Sequence, residues 1–297
     1  MPEEKSVYSI LEDVLELKSV TRETETVDLS CLPIHLAWTG MDCDREEIEE
    51  TLVELLGYLS KRAPNLKGID IGGNGLKKVP EEIYNFQSLE KLNLGPALSW
   101  RSFILARLYN QIEEVPRINE LTNLQWLRLD YNNLTTLETK DLEYLTYLSA
   151  QKNQLTNVEL KNLPKLRVVD LAGNKLTSLQ DNIGEFPIQN LSVSFNPKLS
   201  YLPKSFSNLK SLRQLELGVN NLPLEKTLEQ VCECSNLKKL LIYPLSIGSK
   251  LSKSKCPPNF FDCRIPEWED IPTWEEFKTF NEVLIRLNYL GLLEHLS

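Results

Sequence analysis

Residues 124–134 read LQWLRLDYNNL and residues 145–155 read LTYLSAQKNQL. The first places Leu124, Leu127, Leu129, Asn132 and Leu134 where the second places Leu145, Leu148, Ala150, Asn153 and Leu155. The same order continues as Leu166, Val169, Leu171, Asn174, Leu176, then Ile188, Leu191, Val193, Asn196, Leu199 with one extra residue, then Leu212, Leu215, Leu217, Asn220, Leu222. Leu66, Ile69, Ile71, Asn74 and Leu76 give an earlier copy, and Leu237, Leu240 and Ile242 a last one with Leu245 in the asparagine position. Copies start 21 to 25 residues apart wherever no insertion intervenes. The 55 leucines and 23 asparagines of the 297-residue chain are therefore a phased pattern and not mere apolar content.

Alternation explains the first half of each copy. In x-L-x-L the two leucines leave an extended strand on one face and the x residues on the other. One copy cannot bury its leucines, whereas parallel strands from successive copies stack them into a continuous core. The asparagine follows the strand, where the chain turns inward. Its amide can satisfy backbone groups of adjacent turns that would otherwise be buried unpaired.

Seven or eight phased copies of L-x-x-L-x-L-x-x-N-x-L resemble the leucine-rich repeat family, with mixed repeats of 21–25 residues. Val79-Pro80, Val115-Pro116 and Leu202-Pro203 recur in equivalent phase and are similar to the 23-residue class, while the shorter middle copies resemble another class. The resemblance implies an α/β solenoid, with a curved parallel β-sheet on the concave face, an irregular or 3-10 convex face, and helical N- and C-terminal caps. We expect a helical cap over 1–65, repeats over 66–245 and a rear cap with a terminal helix over 246–297. At the front, Asp44 and Glu47 form a capping box before Ile48, Leu52, Leu55, Leu56 and Leu59, after an earlier helix over 4–17. Val27-Asp28-Leu29 and Ile34-His35-Leu36 between them alternate like short strands. At the back, Thr273 and Glu276 precede Trp274, Phe277, Phe280, Leu284 and Leu287.

One copy breaks phase. After Leu89, Leu92 and Leu94, the asparagine arrives as Asn110, thirteen residues late. The insertion, about 95–109, is apolar with two arginines and no acid. Insertions of this kind often emerge on the binding face; folding back over neighbouring leucines is a second reading, and a short amphipathic helix touching a membrane a third.

The net charge of −9 is concentrated in residues 1–65, which hold 15 acidic and 6 basic side chains. No clustered basic face appears, so nucleic acid is not expected as a partner. No run of 18 apolar residues exists and the opening MPEEKSVYSI is acidic, so neither a membrane span nor a secretory signal is expected. Cys31, Cys43, Cys232, Cys234, Cys256 and Cys263 match no common zinc module and lack the tight spacing of extracellular caps. They are read as reduced thiols of a cytoplasmic protein. The two histidines, His35 and His295, fall in opposite caps, and no Gly-rich phosphate loop is present. Neither an enzyme, a cofactor nor a metal site is expected.

The expected function is that of a non-catalytic protein-interaction module, monomeric, acting as a scaffold, a regulator or a bacterial effector delivered to a host cell. The alternative is an extracellular receptor or adhesin domain with disulfide caps. Reading the x positions as columns, large side chains gather at Trp126, Arg128 and Tyr147, beside Asp130, with Tyr131, Lys152 and Phe195 just beyond the strands. With Trp100, Arg101 and Phe103 of the insertion, these form the candidate surface for another protein, because aromatic rings and arginine supply most binding hot spots.

Overall fold

A computed structural model describes residues 20–32, 45–96, 109–241 and 262–264, and every structural statement below concerns these. Each repeat contributes one three-residue strand: β1 (Thr26–Asp28), β2 (Gly68–Asp70), β3 (Lys91–Asn93), β4 (Trp126–Arg128), then β6 (Tyr147–Ser149), β8 (Val168–Asp170), β9 (Asn190–Ser192), β10 (Gln214–Glu216) and β11 (Lys239–Leu241). They join one sheet in the order β1-β2-β3-β4-β6-β8-β9-β10-β11, followed by β12 (Asp262–Arg264). From β1 to β11 every pairing is parallel. The register places Leu92, Leu127, Leu148, Val169, Leu191, Leu215 and Leu240 opposite one another in sequence. Each is at most 1% exposed. Full burial of such a side chain contributes about 1.5–3 kcal/mol, so the ladder dominates stability.

The asparagines occupy a second ladder. Asn153 is typical: its Nδ2 donates to the carbonyls of Ala150 at 3.1 Å and Leu129 at 2.9 Å, while its Oδ1 accepts from Leu134 N–H at 3.0 Å. Asn110, though late in sequence, fills the same slot. It accepts from Asn74 N–H at 3.0 Å and Leu76 N–H at 3.1 Å, and donates to Ile71 and Leu94 carbonyls. The asparagine ladder thus continues from Asn74 through Asn110 to Asn132.

The residue before the asparagine turns the corner with positive φ in repeat after repeat: Gly73, Tyr131, Lys152, Gly173, Phe195 and Val219. For the side-chain-bearing members this left-handed backbone costs roughly 1–2 kcal/mol each, a cost carried by the surrounding hydrogen bonds.

Return segments vary with repeat length. The two 21-residue repeats starting at Leu124 and Leu145 return as extended chain, β5 (Thr136–Lys140) and β7 (Asn157–Lys161), which pair in a small parallel sheet. Repeats of 22 to 24 residues use short 3-10 turns, such as Ile183–Glu185 and Lys204–Asn208. The 25-residue repeat starting at Leu212 uses the helix α2 (Leu224–Cys232, numbered after the front helix below). Five extended residues cover ~16 Å and nine helical ones ~13 Å, so more residues fit the same return only by coiling.

At the front, α1 (Arg45–Arg62) buries Ile48, Leu52, Leu55, Leu56 and Leu59, the face its spacing predicts. β1 extends the sheet ahead of residue 66, and Leu32 N–H donates to Asn74 Oδ1 at 2.7 Å. A strand rung therefore begins inside the segment that sequence assigns to a helical cap. The expected helix at 4–17, the strand at 34–36, Asp44 of the capping box and the rear helix from Thr273 lie outside the described residues.

Candidate partner-binding face

Trp126 and Tyr147 head β4 and β6 and are register partners. Their rings stack with centroids 5.3 Å apart and planes 16° from parallel. Both stay half-buried, on the sheet face opposite the leucines. Burial, with Asp130 and Asp170 nearby, pushes the Tyr147 phenol above its ordinary pKa, so the ring stays neutral at any physiological pH. An offset pair of this kind stabilises itself by about 0.5–1.5 kcal/mol and presents a broad apolar shelf.

Behind the shelf the face is polar and closed upon itself, which corrects the reading of Arg128 and Asp130 as exposed positions. Arg128 is 6% exposed and Asp130 fully buried. Arg128 Nε donates to Asp130 Oδ2 at 2.6 Å and its Nη1 to the Pro96 carbonyl at 2.8 Å. Asp130 also accepts from Ser149 Oγ and from Gln151 N–H. Asn93 Nδ2 joins the network at 2.8 Å from both Pro96 O and Asp70 Oδ1. The chain of bonds from β2 to β6 fastens Pro96, where the inserted segment departs. The physical reason is neighbour chemistry: alternation puts Arg128 and Asp130 on one face, and short Ser149 on the next strand leaves room for the pair to sink.

Tyr131, Lys152 and Phe195 sit at the left-handed corners, and their side chains run along the stack of repeats. Tyr131 stacks on Tyr109 at 4.7 Å, next to the return of the insertion. Lys152 Nζ lies 5.5 Å from the Phe195 ring centroid. Gly173 makes that path possible: its φ is +69°, and a Cβ there would meet Lys152 Cδ at 2.8 Å. The structure thus brings Trp126 and Tyr147 together, ties Arg128 to Asp130, and gives Tyr131, Lys152 and Phe195 packing partners. Trp100, Arg101 and Phe103 lie outside the described residues.

Asp170, at the end of β8, is an inner-face acid outside the candidate surface read from sequence. Its carboxylate accepts from Ala172 N–H at 3.0 Å. Burial, together with Asp130 and Glu216, pushes its pKa up to about 7. Among the cysteines, Cys31 and Cys234 are buried and Cys232 is exposed. Burial pushes the Cys234 thiol up to about 11, and its Sγ lies 3.7 Å from the Phe206 carbonyl, the surroundings of a packed thiol.

A family model described as "Leucine Rich repeats (2 copies)" matches residues 145–184, the span from β6 through the turn after β8. The fold is that of a leucine-rich-repeat solenoid. No curated protein matches it. Among solved structures, the functional domain of InlJ from Listeria monocytogenes is similar at 22% identity, covering 74% of this chain and 42% of its own, with a TM-score of 0.47. A leucine-rich-repeat protein of Leptospira interrogans is similar at 28% identity over 66% of this chain and 56% of its own, at 0.38. An internalin, InlF, from Listeria monocytogenes is similar at 17% identity over 80% of this chain and 88% of its own, at 0.40. The leucine-rich-repeat chain spans about half the length of the first two.

Proposed function

We propose that this leucine-rich-repeat protein is a non-catalytic interaction module that binds another protein on the face of its sheet opposite the leucines. The observation that carries the reading is the Trp126–Tyr147 stack. Arg128, Tyr131 and Phe195 are committed to the fold, through the Arg128–Asp130 pair and the Tyr131 and Phe195 contacts. The stacked pair remains half-buried, presenting rigid apolar area that costs little entropy to bind against. Among the described residues no group of three potential metal ligands gathers, and no helix is long and apolar enough to cross a membrane.

The double substitution Trp126→Ala with Tyr147→Ala should abolish capture of the partner retained by the unaltered chain. The melting temperature should fall by only a few degrees, since loss of the stacking costs about 0.5–1.5 kcal/mol beyond area. Full-strength capture by the double variant would move the site elsewhere. We place the protein in the cytoplasm, as resident or delivered effector. Six reactive thiols under denaturant support that placement, and two or three disulfides would count against it.

A further inference from the structure

Arg167, Gln189, Arg213 and Lys238 each stand one residue before a strand, on four successive repeats. Their backbones are tied in order: Gln189 N–H donates to Arg167 C=O at 2.7 Å, Arg213 N–H to Gln189 C=O at 2.7 Å, and Lys238 N–H to Arg213 C=O at 2.8 Å. Neighbouring side chains therefore leave this sheet edge at the strand spacing of ~4.8 Å. Together with Ser211 and Asn236 they line an open cavity of ≈ 300 Å³. Three of those six residues are cations and none is an acid.

No acid among the described residues pairs with this charge. Arg167, Arg213 and Lys238 are exposed, and among the described residues none of them takes part in an ion pair. The same rung at the front is treated differently: Lys67 Nζ pairs with Glu25 Oε1 at 2.6 Å across one strand spacing. At the rear, Arg213 and Lys238 are adjacent like charges, an arrangement that disfavours the folded state unless an anion sits between them.

We propose that this edge binds an acidic peptide segment, its carboxylates laid across β8 to β11 on Arg167, Arg213 and Lys238. Three strand spacings separate Arg167 from Lys238, ~14 Å, which one small oxyanion cannot bridge and four extended residues can. The two guanidinium forks take carboxylates bidentately. Gln189, Ser211 and Asn236 add neutral groups for the peptide backbone; Asn236 Nδ2 already donates to the Lys210 carbonyl at 2.6 Å, which leaves its Oδ1 to accept. The cavity is open rather than enclosed, as passage of a chain requires. The site is separate from the Trp126–Tyr147 shelf and does not rest on it.

Fluorescence anisotropy of labelled hexaglutamate with the full chain tests the proposal, with hexaglutamine as the neutral control and inorganic phosphate as competitor. Hexaglutamate should bind at low salt and weaken steeply as salt rises, and hexaglutamine should not bind. Arg213→Gln with Lys238→Gln should weaken hexaglutamate by about 10-fold or more, and Arg167→Gln alone by less, whereas Lys67→Gln should leave it unchanged. The substituted residues are exposed, so no melt should fall below that of the parent; a lowered melt for the double variant shifts the decision to Arg167→Gln. Absence of binding at low salt, undiminished binding by the variants, or equal binding of hexaglutamine would overturn the proposal. So would phosphate that binds as tightly as the peptide and displaces it fully, for the edge would then be a site for free phosphate.

Discussion

Arg128, in β4, and Arg213, one residue before β10, lie three positions apart in the repeat pattern, and they live in opposite surroundings. Arg128 is buried against Asp130 and the Pro96 carbonyl, its charge absorbed into a network that runs from β2 to β6. Arg213 is exposed beside a second cation, in no ion pair among the described residues. Both are x positions of the repeat pattern, in different repeats. The difference teaches that repeat phase fixes which way a side chain points, while its neighbours one strand away decide whether it serves the fold or stays available for a partner.

That contrast can be broken most forcefully at Arg128. Arg128→Ala leaves Asp130 buried without its counter-charge and should cost about 3–5 kcal/mol in denaturant unfolding. Arg213→Ala should change stability by no more than about 0.5 kcal/mol, as an exposed charge does. Equal costs at the two positions would erase the distinction. A smaller effect sharpens it at Asp170, an acid that forms no ion pair among the described residues. Its folded pKa of about 7 lies above the ordinary aspartate value of 3.8, so the folded chain holds the proton more tightly between those values. Stability should therefore be greatest on the acid side of that window and decline as pH rises through it. Asp170→Asn keeps an acceptor for Ala172 N–H and should melt a few degrees higher than the unaltered chain at pH 8, with the gain vanishing near pH 4. A gain of the same size at both pH values would remove ionisation as its cause.

The strands, the asparagine ladder and the apolar face of α1 were legible in sequence because each depends on a period: two for strands, 3.6 for helix, one asparagine per repeat. Asn110 was legible even at thirteen residues' remove, since only one asparagine could fill the vacant slot. What the period does not carry was missed. Val27-Asp28-Leu29 reads as a short strand, but Cys31-Leu32 stands where an asparagine would announce a repeat rung, so the start of the sheet at β1 is hidden. The β5–β7 sheet and α2 follow from the count of residues in each return, a quantity visible in the repeat lengths but easily passed over. The burial of Arg128 and Asp130 depends on Ser149 and Gln151 in the following repeat, and alternation reports a face without reporting depth. Trp126 and Tyr147 were legible as neighbours because parallel register across equal repeats leaves them no other arrangement.

A photo-cross-linking residue placed at Lys91 tests the central claim most directly, because Lys91 is exposed and is the register partner of Trp126 on β3. The comparison is with the same residue at Glu185, exposed on the 3-10 return segment. If a partner covers the Trp126–Tyr147 shelf, illumination should yield a discrete partner adduct at position 91 and none at position 185. An adduct at 185 with none at 91 would contradict the account and place recognition on the outer side of the repeats.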